Sequence, residues 1–191
     1  TIFIPELAKD ILEQIVFEAR KSEYVDVKSG VSARLSITAF ENLVSTAERR
    51  LLHSGDDKTA IRMSDFTGII PAITGKIELV YEGEQEGAAE VAKLLIDEAV
   101  KTKFNSVFPP IPKLEKAGVP TPYSEIIEWF DNNTFVEIGN YSTDKTYQKS
   151  LDSIKALKNL VAKYCKDVAE NEIYFYMELV LWALAINDKL D

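Results

Sequence analysis

Pro5-Glu6-Leu7-Ala8-Lys9-Asp10-Ile11-Leu12-Glu13-Gln14-Ile15-Val16-Phe17-Glu18-Ala19-Arg20-Lys21 reads as one amphipathic helix. Leu7, Ile11, Leu12, Ile15 and Ala19 recur at three- and four-residue steps, which gathers them on a single helical face. Pro5 suits the start, because the first N–H groups of a helix lack partners in any case. The same period governs most of the chain to the C-terminal side. Residues 22–32 form a polar connection. A second helix opens between Ala33 and Thr38 and runs to about His53, with Ile37, Phe40, Leu43, Val44, Ala47 and Leu51 as its apolar stripe. Ser32 and Ser36 are both placed to cap it.

Ser54-Gly55-Asp56-Asp57-Lys58 interrupts the pattern. Met63-Ser64-Asp65-Phe66 reads as a new helix start, with Ser64 as N-cap and Asp65 complementing the positive end of the helix dipole. Gly68 and Pro71 predict a kink or an early end. Gly83-Glu84-Gln85-Glu86-Gly87 reads as a turn, and Val91, Leu94, Leu95 and Ala99 mark a fourth helix from Ala88 to about Phe104. Phe108-Pro109-Pro110-Ile111-Pro112 is the strongest punctuation in the chain and divides residues 1–105 from 106–191. Beyond it, Thr121 and Pro122 open a short helix through Trp129 and Phe130, as cap and first residue. Ser142 or Asp144 starts a longer helix carrying Leu151, Ile154, Leu157, Val161, Tyr164 and Val168. A last helix from about Ala169 to Leu190 is apolar on more than one face, which fits the centre of a bundle or a docked element. No segment sustains a period of two. Phe135-Val136-Glu137-Ile138 is the one candidate for a short strand or extended link, and it has nothing to form a sheet with. The fold class is all-α: a helical bundle followed by a C-terminal helical extension.

Composition excludes several functions. At 46% hydrophobic and 28% charged residues, the chain is an ordinary globular one rather than a disordered one. No apolar run approaches the roughly 20 residues that a membrane span needs. A net charge of −9 disfavours nucleic-acid binding through phosphate neutralisation. A single cysteine and a single histidine are too few for a zinc site of His and Cys ligands, and the lone Cys165 points to a reducing, cytoplasmic setting. Thr1 in place of an initiator Met fits a piece of a longer polypeptide, and N-terminal processing would leave the same start.

Individual reactive residues read as structural. His53 falls at a helix end, where an imidazolium meets the dipole favourably. Cys165 reads as a small packed hydrophobe within a helix. Glu82, Glu84, Glu86 and Asp56-Asp57 read as solvated acids, without the spacing of a calcium loop. Tyr174, Phe175, Tyr176 and Trp182 read as core.

The segment with chemical content is Ser29-Gly30-Val31-Ser32-Ala33-Arg34-Leu35-Ser36-Ile37. A glycine-containing turn feeds a helix and leaves Arg34 in the first turn, where the partial positive charge of the helix disfavours a cation. The placement makes sense beside an anion, because a helix N-terminus and a guanidinium together suit phosphate. Pairing of Arg34 with Glu23 or Asp26, or simple solvation, would equally remove the difficulty.

Ile4-Pro5-Glu6, Phe17-Glu18-Ala19-Arg20, Ser29 to Arg34 and Ala47-Glu48-Arg49-Arg50 together resemble the lid region of AAA+ ATPases, in particular the magnesium chelatase ATPase subunit and its MoxR-like relatives. Met63-Ser64-Asp65-Phe66 leading to Ile70-Pro71-Ala72 is similar to the later lid helix of that family. The resemblance covers roughly residues 4 to 105, and residues 106–191 carry no part of it. It implies that Arg34 is the "sensor 2" arginine that reaches the γ-phosphate of ATP, with Gly30 and Ser32 shaping the same nucleotide-binding segment. It also implies an upstream nucleotide-binding domain supplying ATP and Mg²⁺ sites, a homo-oligomeric ring and an unidentified protein partner. The chain itself carries no Gly-x-x-x-x-Gly-Lys-Ser/Thr phosphate loop and no strand ending in paired acids, so no cofactor and no ATP hydrolysis are expected of it alone. A free-standing helical interaction module with no nucleotide role is the alternative from a different class. A helical enzyme using carboxylates is the weakest, because no paired acids stand out at helical spacing.

Overall fold

The protein is described by a computed structural model covering residues 1–113, 119–132, 136, 138–139 and 142–190. Phe135 and Glu137 of the candidate strand lie outside the described residues.

Helix α1, Glu6–Lys21, follows Pro5 and buries Leu7, Ala8, Ile11, Leu12, Ile15, Val16 and Ala19 on one face. Helix α2, Arg34–Ser54, buries Leu35, Ala39, Leu43 and Ala47, and ends on Gly55 in the left-handed region, whose N–H donates to the Leu51 carbonyl. Ile37 and Leu52, by contrast, are exposed. Between the helices' far ends, Ile2–Phe3 (β1) and Thr59–Ala60 (β2) pair in parallel, Ile2 opposite Thr59. These strands are two residues each and leave the all-α class intact.

The stretch read as a helix capped by Ser64 begins earlier and is wound more tightly. Met63–Ile69 is a 3-10 helix with Arg62 at its N-cap position. Its start is held by Asp65, whose carboxylate accepts from the Arg62 N–H at 2.8 Å, while the Ser64 N–H is taken by a distant residue, Glu178. Helix α3, Ile70–Thr74, follows it with Pro71 in its first turn and stops at Gly75, so at Gly68 and Pro71 the chain changes from 3-10 to α winding rather than ending.

Gly83–Gly87, expected to be a turn, lies mostly within a short helix, α4, Tyr81–Glu86. Gly83 is there because α4 lies against the loop after α1. An antiparallel bridge joins Val25 to Leu79, the Val80 N–H donates to the Tyr24 carbonyl at 3.1 Å, and a Cβ on Gly83 would collide with that same carbonyl. Because the obstacle is backbone, Gly83→Ala is expected to cost about 1–3 kcal/mol, measured as a lower urea midpoint at unchanged slope.

Helix α5, Ala88–Val107, packs along α1 and α3. The remaining helices are α6 (Ser124–Asp131), α7 (Asp144–Asp152), α8 (Lys155–Tyr164) and α9 (Ile173–Ile186). Helix α6 starts two residues later than Pro122, with Tyr123 at its N-cap position and the Thr121 hydroxyl accepting from the Tyr123 N–H at 3.2 Å. The long helix expected from Ser142 or Asp144 is divided at Ser153 and Ile154, so the single stripe becomes two short ones. Asp152, the last residue of α7 before the bend, accepts from Lys158 Nζ at 2.7 Å and from the Tyr174 hydroxyl at 2.9 Å. Cys165 is the residue that closes α8 rather than one inside a helix. A 3-10 turn, Glu170–Glu172, precedes α9.

Helix α9 is the central element. It packs on α5, α7, α8 and the 3-10 helix Met63–Ile69, which explains why it is apolar around its whole circumference. Phe175, Met177, Leu179, Val180, Leu181, Ala183 and Leu184 are all buried. The buried cluster runs without interruption from Leu7 of α1 to Leu184 of α9, across the proline-rich link at Pro109–Pro112.

Candidate functional site

The segment singled out by sequence has a simple local construction. Gly30 adopts a φ of 70°, and its N–H closes a turn onto the Val27 carbonyl at 3.2 Å. Val31 is buried, and its carbonyl accepts from Arg20 Nη2 at 3.2 Å, which fixes the loop on α1. The Ser32 hydroxyl accepts from the Arg34 N–H at 3.1 Å, although Ala33 occupies the N-cap position. Ser36 turns back to donate to the Ala33 carbonyl instead.

Arg34 is thus the first residue of α2, with no acidic residue in that turn. Its side chain is exposed. Asp26, one of its candidate partners, is engaged by the Lys28 N–H at 2.8 Å and the Ser29 hydroxyl at 3.3 Å. Glu23 makes no ion pair with Arg34 either, and among the described residues the guanidinium meets no carboxylate. Gly30, Ser32 and Arg34 therefore sit together at the entrance to α2, with the cation facing outward.

A second polar assembly, not foreseen, lies inside the protein. Arg50, near the end of α2, donates through Nε and Nη2 to the two oxygens of Asp65 at 3.0 and 2.8 Å. The remaining donors reach Thr59 Oγ1 and the Ala60 carbonyl, both at 2.7 Å. This fork-on-carboxylate geometry is the strong form of the arginine–aspartate contact. Burial works against the Arg50 charge, but Asp65 and then Asp144 hold the guanidinium above its ordinary range.

Arg62, 2% exposed, extends the network to the C-terminal helices. Its Nη2 donates to Asp144 Oδ1 at 2.8 Å and to the Ser142 carbonyl at 3.1 Å, and its guanidinium lies 4.0 Å from the centre of the Tyr147 ring. Asp144 also accepts from Thr59 Oγ1 at 2.7 Å, while its own N–H donates to Asp56 Oδ2 at 2.9 Å. Asp56, expected to be a solvated loop acid, thereby holds the first turn of α7. Glu178 of α9 completes the set. Its carboxylate accepts from the Met63 N–H at 2.7 Å, the Ser64 N–H at 3.0 Å and the Tyr147 hydroxyl at 2.8 Å. Burial, against these hydrogen bonds, leaves the Glu178 carboxyl above its usual range. Burial and then Glu178 push the Tyr147 phenol well up, so it remains the donor.

Two guanidinium groups and the carboxylates of Asp56, Asp65, Asp144 and Glu178 are thus gathered within one network. Its chemistry is structural: apart from Arg62 Nε, which has no partner among the described residues, the guanidinium donors reach carboxylate, carbonyl or hydroxyl oxygens inside the protein. Among the described residues no group of three or more His, Cys, Asp and Glu is placed to hold a metal ion. Cys165 is half-buried and its thiol is pushed up to about 11 by burial, which leaves it protonated and unreactive at neutral pH.

Sequence did contain one signal for this assembly. Glu178 is a lone acid between Met177 and Leu179 in a helix apolar on every face, and such a charge must find partners on the elements around it. Arg62 gave no comparable signal, because its partners lie some 80 residues away in sequence.

An apolar groove of about 500 Å³ runs along α5 and α9, with Trp182, Leu181, Ile186 and Phe130 in its wall and Lys93 at its edge. The Trp182 indole N–H donates to Asp97 Oδ1 at 2.9 Å. No helix among the described residues is long and apolar enough to cross a membrane. No family model, no curated protein and no solved structure matches the chain.

Proposed function

We propose that these residues form the lid and C-terminal helical region of a magnesium-chelatase-like AAA+ ATPase. The single observation that carries the reading is Arg34: a cation at the first residue of a 21-residue helix, exposed, and without a carboxylate partner among the described residues. A cation placed there is unfavourable in isolation. It becomes favourable when a nucleotide's phosphates, held by a preceding domain of the same or a neighbouring subunit, approach the helix end. In this reading Gly30 and Ser32 set the direction from which Arg34 emerges. ATP and Mg²⁺ are bound by that preceding domain, and the resemblance of residues 4 to 105 to lid regions supports its presence and a ring of subunits.

The test is replacement of Arg34 by alanine in the polypeptide that carries the phosphate loop. ATPase turnover is expected to fall about 100-fold, the loss typical of removing one donor to developing phosphoryl charge. Turnover unchanged within about twofold would show that nothing anionic depends on Arg34.

The apolar groove along α5 and α9 favours a second reading, a helical interaction module without a nucleotide role. The coding sequence before Thr1 separates the two. A phosphate loop within the preceding ~250 residues belongs to the ATPase, and an initiator codon directly before Thr1 belongs to the module.

A further inference from the structure

The apolar groove along α5 and α9 contains one polar group that its walls do not balance. Asp97 of α5 is half-buried and lines the groove beside Phe130, Leu181, Trp182 and Ile186. The Trp182 indole N–H donates to Asp97 Oδ1 at 2.9 Å. Among the described residues no second hydrogen bond and no ion pair reaches this carboxylate. The lysines one turn to either side pair elsewhere: Lys93 Nζ lies 3.9 Å from Glu90 and Lys101 Nζ 2.9 Å from Glu98. Glu178, the other carboxylate in the lining, has both oxygens taken by the Met63 and Ser64 N–H groups and the Tyr147 hydroxyl. Burial raises the Asp97 carboxyl above its usual range, against the Trp182 hydrogen bond and the two lysines. A carboxylate held in an apolar wall without a cation is costly. Asp65 and Asp144, by contrast, each meet a guanidinium.

We infer that the groove binds a small organic cation, an apolar body carrying one ammonium group that pairs with Asp97. Its volume of about 500 Å³ suits a small molecule, since such pockets span roughly 300–1,000 Å³ and join apolar walls to a few polar groups that fix orientation. The apolar body packs on Phe130, Leu181 and Ile186. Trp182, tied to Asp97, sets an aromatic wall next to the charge, a favourable neighbour for a cation. Charge favours this sign over the other. The chain carries −9, which draws cations and repels anions at a distance, and Lys93 at the edge is offset by Glu90. Binding here involves no nucleotide and leaves Arg34 out, so it stands or falls apart from the ATPase reading.

Benzylamine, benzyl alcohol and benzoate share one ring and differ in charge. Each is titrated into the 15N-labelled chain with the Trp182 Nε1–H as reporter. Benzylamine should give a saturable shift with an affinity about tenfold above that of benzyl alcohol, and benzoate should give none. Asp97→Asn keeps an oxygen for the Trp182 N–H and removes the charge, so the benzylamine affinity should fall to that of the alcohol. Ala185→Phe adds a ring at an exposed position in the groove wall, so the melting temperature should hold while all binding is lost. Equal affinities for benzylamine and benzyl alcohol would mean a groove without charge selection and would overturn the proposal. A stronger response to benzoate, an unresponsive Trp182, full benzylamine affinity in Asp97→Asn, or binding that survives Ala185→Phe would overturn it as well.

Discussion

Replacement of Arg50 by alanine is expected to destabilise the protein by about 3–5 kcal/mol, the loss seen when one member of a buried ion pair is removed. Asp65, 3% exposed, would keep its bond from the Arg62 N–H but lose both contacts from the guanidinium. Thr59 and the Ala60 carbonyl would lose a donor at the same time. For a chain of this length the shift corresponds to a melting temperature lower by on the order of 10 °C. Arg50→Lys separates charge from geometry: an ammonium restores the charge but cannot span both oxygens of Asp65, so recovery should be partial. A loss below about 1 kcal/mol for Arg50→Ala, the range of exposed pairs, would contradict the burial described here.

Glu178 carries the second large effect, and its two substitutions should diverge. Glu178→Ala strips the acceptor from the Met63 N–H, the Ser64 N–H and the Tyr147 hydroxyl together, for an expected cost of about 3–5 kcal/mol. Glu178→Gln retains one acceptor and removes a carboxylate from a network that holds four of them against two guanidinium groups, so it should cost about 1–3 kcal/mol. The pH dependence follows from the direction of the Glu178 shift. Its carboxyl is raised in the fold, by burial first, so the folded state binds that proton more tightly than the unfolded chain does. The resulting stability is fully present below the ordinary glutamate range and is lost as pH rises through the raised folded value. Denaturation midpoints of the wild type should fall over that window relative to Glu178→Gln, which lacks the titrating group. Parallel profiles for the two proteins would show that Glu178 has the same proton affinity folded and unfolded.

The helices were legible where one face decided the matter. In α1, the apolar positions picked out by period are all buried, because an isolated stripe has only one way to leave water. In α2 the limits were close, but Ile37 remained exposed at 60%, since period alone cannot say how wide a face the neighbours cover. Local chemistry misled at Ser64: a serine before an acid looks like a cap, yet Glu178 of α9 claims its N–H and Asp65 caps Arg62 instead. The bend at Ser153 and Ile154 was invisible because Ile154 and Leu157 continue the stripe of Leu151 in phase, and all three are buried. At the candidate sites, the position and exposure of Arg34 were readable from neighbours within a few residues. The buried charges were not, because each is satisfied from a part of the chain that only the folded topology brings near.

Arg34 and Arg50 occupy opposite ends of one uninterrupted helix, about 24 Å apart at the helical rise. The Arg34 side chain stands in solvent, whereas Arg50 is fastened to Asp65 and to Thr59, which in turn donates to Asp144. One helix therefore presents a cation to solvent at its first residue and buries another, fully paired, about four turns further along.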